Sequence, residues 1–161
     1  LFISLHADAV IEGEASGTTV YLLSDKATDK MSAQLASRHD RSEILRGVDL
    51  SGLDSQVASV LLDMARQETK PRSEAVASFI LKVFKEKITE LSSQPLRYAA
   101  FSVLKSPDIP SILIEAGFMS TSSDLQNLTT KKWRREFADS LTEAISRWYV
   151  RDKENKVLLR E

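Results

Sequence analysis

The chain has 161 residues, enough for one domain with a real core, and its 22 basic and 23 acidic residues nearly cancel to a net −1. The charges are spread along the chain, so a polyanion-binding protein is not indicated and nucleic acid is not expected as a partner. With no cysteine, disulfides, thiolate metal sites and a cysteine nucleophile are excluded, and no apolar run approaches the ~20 residues that cross a bilayer.

The chain opens on LFISLHADA, Leu1 to Ala9, a saturated apolar run that reads as a buried strand of a largely parallel sheet. His6 then stands at the strand's carboxyl end with the Asp8 carboxylate just beyond, at the edge where open α/β sheets collect ligands and catalytic groups. A hydrogen-bonded core histidine is the competing reading of His6. The opening lies inside a strand, with no starting Met and no charged leader, so the natural chain is expected to extend upstream of Leu1.

Gly17 to Ser24 (GTTVYLLS) reads as a second strand, expected beside the first. Ala27, Met31 and Leu35, spaced by four, predict a helix over Asp25 to Arg38. The polar stretch from Arg38 to Gly52 reads as an excursion from the core. Asp54 is a candidate cap for a further helix carrying Val57, Val60, Leu61 and Met64. Pro71 is expected to break that helix and Ser73 to restart it, with Val76, Phe79, Ile80, Val83, Phe84, Ile88 and Leu91 forming an amphipathic stripe that ends near Ser92.

Tyr98 to Leu104 is a weaker strand candidate, followed by a turn at Lys105 to Asp108. A second saturated run, Ile112 to Ile114, then delivers Glu115, and Gly117 lets the backbone turn beyond it. Caps at Ser120 to Ser123 open a short helix through Leu128, and Thr129 or Thr130 opens a final helix through about Val150. Arg151 to Glu161 is highly charged and reads as a fraying tail. The pattern as a whole is α/β, a mostly parallel twisted sheet flanked by helices.

His6 and Glu115 at two strand ends suit metal-assisted hydrolysis. Neutral imidazole is a good zinc ligand, and a non-ligating glutamate can take the proton from a water that zinc brings to a pKa of about 7. A catalytic zinc takes three protein ligands, and these strand ends supply one, so hydrogen-bonded interior roles for both residues stay open. The chain holds no G-x-S-x-G, GxGxxG or Walker motif, which leaves serine-hydrolase and nucleotide chemistry unsupported.

LFISLHADA, the Gly-x-x-Val-Tyr strand and VLKSPDIPSILIEAGFMS together resemble the zinc-dependent N-acetylmuramoyl-L-alanine amidases of the cell-division type, over Leu1 to about Tyr149. The resemblance implies a phosphorylase/hydrolase-like α/β fold and cleavage of the amide between N-acetylmuramic acid and L-alanine of peptidoglycan, in the periplasm, during daughter-cell separation. It makes His6, in the S-[IL]-H-A-D motif, a zinc ligand, and Glu115, in the [IV]-E-x-[GA]-[FY] motif, the catalytic base. The family's other two ligands, a histidine in D-P-G-H-G-G and a following glutamate, precede this strand, and neither motif is present here. The chain therefore reads as the C-terminal part of the catalytic domain (1–150) with a charged tail (151–161).

The resemblance also implies an inserted helical segment, about 28–70, that plugs the groove, offers an acidic side chain to the zinc and is displaced by a LytM-type activator. Where relatives carry Glu-Asn this chain has His39-Asp40, so His39, Asp40 and Glu43 are the candidate inhibitory ligands. A displaceable plug is expected to be weakly anchored to the core. A catalytically inactive amidase-fold scaffold or regulatory module is the alternative.

Overall fold

The computed structural model describes residues 1–10, 15–45, 56–87 and 90–158, without the side chains of 41–45, 56–65 and 156–158. The elements run β1 (Phe2–His6), β2 (Thr18–Leu23), α1 (Lys30–Leu45), α2 (Gln56–Lys87), β3 (Leu91–Ala99), a 3₁₀ turn (Ser102–Leu104), β4 (Ser111–Glu115), α3 (Ser122–Thr129) and α4 (Lys131–Leu158). The four strands form one sheet in the order β1-β4-β2-β3. Two of its pairings are parallel, β1 with β4 and β2 with β3, and β2 meets β4 antiparallel. The mostly parallel α/β architecture is as expected, but β1 and β2 are not neighbours, because β4 lies between them.

The alternation of side chains across the sheet divides the core in two. Val20, Leu22, Ile112 and Ile114 point to one face, where Val76, Ile80, Val83 and Phe84 of α2 and Phe137, Ala144 and Trp148 of α4 cover them. Tyr21 and Leu113 point to the other, against Leu35 and Ala36 of α1 and Phe101 and Leu104 around the 3₁₀ turn. Glu115 follows Leu113 by two, so it belongs to the α1 face.

Four sequence expectations are corrected. The first part of the stretch from Arg38 does not leave the core: α1 continues to Leu45 and buries His39, while residues 46–52 lie outside the described residues. Pro71 does not break the next helix. Proline inside a helix costs about 3 kcal/mol, and in α2 the burial of Val76, Ala77, Ile80, Val83 and Phe84 immediately beyond it outweighs that cost. The strand expected at Tyr98 to Leu104 begins at Leu91 and ends at Ala99, so Leu91 is a strand residue. It is the edge of the sheet, where Pro95 is tolerated beside an irregularity in the register with β2. Finally, most of the charged tail is helical, since α4 runs to Leu158 and Asp152 accepts a bidentate pair from Arg72 of α2 at 2.7 and 2.8 Å. The proposed cap Asp54 and the position Ile88 lie outside the described residues, as do the side chains of Val57, Val60, Leu61 and Met64.

One glycine is required by its conformation. Gly17 has φ of 77°, and a Cβ there would lie 2.6 Å from the backbone of Leu91 and Ser92. Gly17→Ala is therefore expected to destabilise the protein by about 1–3 kcal/mol, read as a lower denaturation midpoint; an unchanged midpoint would contradict the close approach. Among the described residues no helix is long and apolar enough to cross a membrane.

Candidate metal centre and catalytic site

The parallel register of β1 and β4 pairs His6 directly with Glu115, and the antiparallel register of β2 sets Thr19 on the other side of Glu115. Two sequence runs far apart in the chain thus deliver their polar ends to adjacent positions on one face of the sheet. From above that face α1 supplies His39. The rings of His6 and His39 stand edge to face, with centroids 4.2 Å apart and planes at 87°. His6, His39 and Glu115 can each turn a ligating atom to within 4.8 Å of the others.

Each group is held by specific partners. Ser4, two residues before His6 and on the same face of β1, shares a 2.7 Å hydrogen bond with His6 Nε2. Glu115 is fully buried, and its Oε2 accepts from the Asp8 backbone amide at 3.2 Å. Its Oε1 lies 3.6 Å from His39 Nε2 and is buried with no hydrogen bond among the described residues. His39 Nε2 lies 2.6 Å from Asp8 Oδ2, and Phe101 packs against the ring at 5.6 Å.

The electrostatics follow from this crowding of two carboxylates around an imidazole. Burial works against a charged His39, but the hydrogen bond it donates to the Asp8 carboxylate and the neighbouring Glu115 prevail and push it up to about 9. The same hydrogen bond holds Asp8 below the usual carboxylate range. Glu115 is pushed up, chiefly by burial and further by the Asp8 charge, against the opposing pull of His39. A buried carboxyl with raised proton affinity holds a proton more readily than an exposed one, which suits a group that accepts and returns a proton.

Two imidazoles and a carboxylate converging at this distance are a donor set that zinc accepts. The buried Glu115 Oε1, turned into the same cluster with no hydrogen bond, is consistent with a cationic or proton-donating guest. The residues present therefore fit the metal that the resemblance implies.

Of the sequence candidates, the structure brings His6, His39 and Glu115 together and separates Asp40 from them. Asp40 Oδ1 accepts from the Ser102 amide at 3.0 Å and from its hydroxyl at 2.6 Å, which ties α1 to the 3₁₀ turn. The Glu43 side chain lies outside those described. Sequence reasoning assigned no role to Asp8, although its place two residues after His6 carries it past the strand end on the same side. Nor did it find Ser4, which lies two residues before His6 on the same face of the strand, or Ser102 and Asp124, whose partners are distant in sequence or are backbone groups.

Residues 1–147 match the family model described as N-acetylmuramoyl-L-alanine amidase (Amidase_3). The chain is 35 % identical over 151 residues to N-acetylmuramoyl-L-alanine amidase AmiC of Escherichia coli O6:H1, covering 93 % of this chain and 36 % of that protein. It is 32 % identical over 150 residues to AmiA of Escherichia coli K12, covering 92 % of this chain and 52 % of the relative. The chain thus spans about a third to a half of these curated relatives. In fold it is similar to the amidase Ami1 from Mycobacterium smegmatis, with a TM-score of 0.57 at 16 % identity, covering 91 % of this chain and 52 % of that one. It is similar also to the CwlD amidase from Clostridioides difficile, solved with the GerS lipoprotein, with a TM-score of 0.55 at 15 % identity over 92 % of this chain and 54 % of the other. With the family match running through both strand ends and the helix that covers them, the chain belongs to the N-acetylmuramoyl-L-alanine amidase family, Amidase_3.

Proposed function

We propose that this chain carries the base and one metal ligand of a zinc-dependent amidase that cleaves peptidoglycan between N-acetylmuramic acid and the L-alanine of the stem peptide. The observation that carries this reading is the direct pairing of His6 with Glu115 across β1 and β4, in a family whose named relatives are amidases of that bond. His6 would hold the metal as one donor of an open site. Zinc bound there supplies Lewis acidity, which polarises an amide carbonyl and lowers the pKa of a water to about 7.

The protein's own part is proton traffic and positioning. Asp8 N fixes one oxygen of Glu115, leaving Oε1 turned into the cluster. Glu115 takes a proton from the attacking water and returns it to the departing L-alanine amine. Ser4 fixes the orientation of the His6 ring.

The same site is closed by α1, and the reading extends to autoinhibition. Of the two candidates whose side chains are described, His39 is taken as the inhibitory ligand, since it meets His6 and Glu115 while Asp40 is committed to Ser102; the Glu43 side chain lies outside the described residues. Three consecutive residues make the closure: Arg38 donates to the Ala9 carbonyl at 2.8 Å, His39 pairs with Asp8, and Asp40 caps the 3₁₀ turn. Segment 28–70 then acts as the regulatory insert within the catalytic domain. An activator of the LytM type lifts it, in the periplasm where the substrate lies, during daughter-cell separation.

The test is digestion of purified sacculi by the full natural chain, followed by mass spectrometry. Free stem peptides beginning at the L-alanine amine, produced with zinc and suppressed by a chelator, are expected. Intact peptidoglycan after activation and zinc loading would instead favour the scaffold reading.

A further inference from the structure

We propose that Asp124 is a positioning residue for Glu115, a clamp whose single carboxylate oxygen fixes the chain beyond both site strands; this rests on the reading of Glu115 as the base. Asp124 lies in the first turn of α3 and is 4 % exposed. Burying a carboxylate is costly unless its lone pairs are filled. Here Oδ2 accepts two backbone amides, Phe118 N at 2.9 Å and Gly17 N at 2.9 Å. Phe118 is three residues past Glu115, and Gly17 directly precedes β2, whose Thr19 pairs with Glu115.

The turn after Glu115 is shaped around this carboxylate. A Cβ on Gly117 would lie 3.1 Å from Asp124 Cβ and 3.3 Å from Oδ2, so the glycine keeps the seat open. Helix capping does not account for the arrangement. Thr121, at the N-cap, makes no side-chain capping bond, and its hydroxyl donates to Ala15 O at 2.6 Å. Further ties join the same two loops: Ala116 N to His6 O at 2.9 Å, Met119 N to Asp8 O at 2.7 Å, and the Thr18 hydroxyl to Ala116 O at 2.9 Å. Asp124 is the one ionisable side chain among these ties. Its removal leaves two donors without their acceptor and frees the backbone on either side of the base.

The experiment compares wild type, Asp124→Asn and Asp124→Ala as zinc-loaded full-length proteins acting on a soluble muropeptide, with amide hydrogen exchange measured on the same samples. Asp124→Ala is expected to lower kcat roughly 10- to 100-fold, the scale of a misplaced catalytic group, with KM and zinc content unchanged. Exchange at Phe118 and Gly17 should quicken while Val20 and Ile114 stay protected. Asp124→Asn, whose amide oxygen can accept both N–H groups, should recover most of the kcat. Gly117→Ala, which presses on the Asp124 carboxylate, should reproduce the defect if Asp124→Ala does not fold. Wild-type kcat in Asp124→Ala, failure of Asp124→Asn to recover, or exchange that quickens throughout the core would overturn the clamp. A wild type inactive on this substrate would count against the amidase reading, and the exchange pattern at Phe118 and Gly17 would still decide the clamp.

Discussion

Glu115→Gln is expected to leave the fold and zinc binding in place while reducing hydrolysis of sacculi by about 10²- to 10⁴-fold, the usual contribution of a positioned general base. Glutamine keeps the shape of the side chain and an oxygen that can accept the Asp8 amide, so the 3.2 Å contact that orients the group survives. What it loses is the capacity to bind a proton. His39, which faces Glu115 at 3.6 Å, keeps its 2.6 Å contact with the Asp8 carboxylate, so removal of the Glu115 charge does not leave the imidazole without a partner. The measurement is initial rate together with zinc content by metal analysis. Activity lost together with zinc would make Glu115 a ligand instead of the base, and retained activity would remove it from the chemistry.

The chemistry was legible wherever an apolar run ended abruptly in a polar residue. Leu1 to Leu5 before His6, and Ile112 to Ile114 before Glu115, announce buried strands and place the two residues at sheet ends. Their direct pairing was not legible, because the β1-β4 register is a contact between distant segments that no local pattern encodes. The placement of β4 between β1 and β2 was hidden for the same reason. In α1 the signal was present and the reading stopped one step early. The spacing of Ala27, Met31 and Leu35 continues to His39, which puts the imidazole on the buried face. A charged, polar stretch obscured that periodicity. Pro71 and β3 misled through local propensity, which packing against the sheet overrides in one case and an edge position tolerates in the other.

The helix that carries His39 therefore combines two demands that pull apart. Leu35 and Ala36 seat α1 on the sheet as firmly as an ordinary core helix, whereas the proposed autoinhibition requires it to leave for substrate to enter. The contacts suited to give way are the polar ones at its further turns, where Arg38, His39 and Asp40 meet loop backbone, Asp8 and Ser102. Opening then need not unpack Leu35. On the proposed autoinhibition, an activator has only to bind a form in which His39 has left His6 and Glu115 more tightly than the closed one.

His39→Ala follows as the second large effect, of opposite sign to that of Glu115→Gln. Where a minor state is populated at ~0.1–10 %, removing the group that favours closure raises basal activity by at most ~10- to 1,000-fold, and a gain of about tenfold is expected for this one contact. Zinc content should be unchanged and the response to activator correspondingly smaller, since the same equilibrium cannot be shifted twice. Asp40→Ala is the informative partner variant. It removes the anchor on Ser102 while leaving the imidazole, so it should raise activity less. If Asp40→Ala matches or exceeds His39→Ala, closure depends on the anchoring of α1 and not on the imidazole. Should His39→Ala lose both zinc and activity, His39 belongs to the working metal site, and α1 builds the active site that it would otherwise only cover.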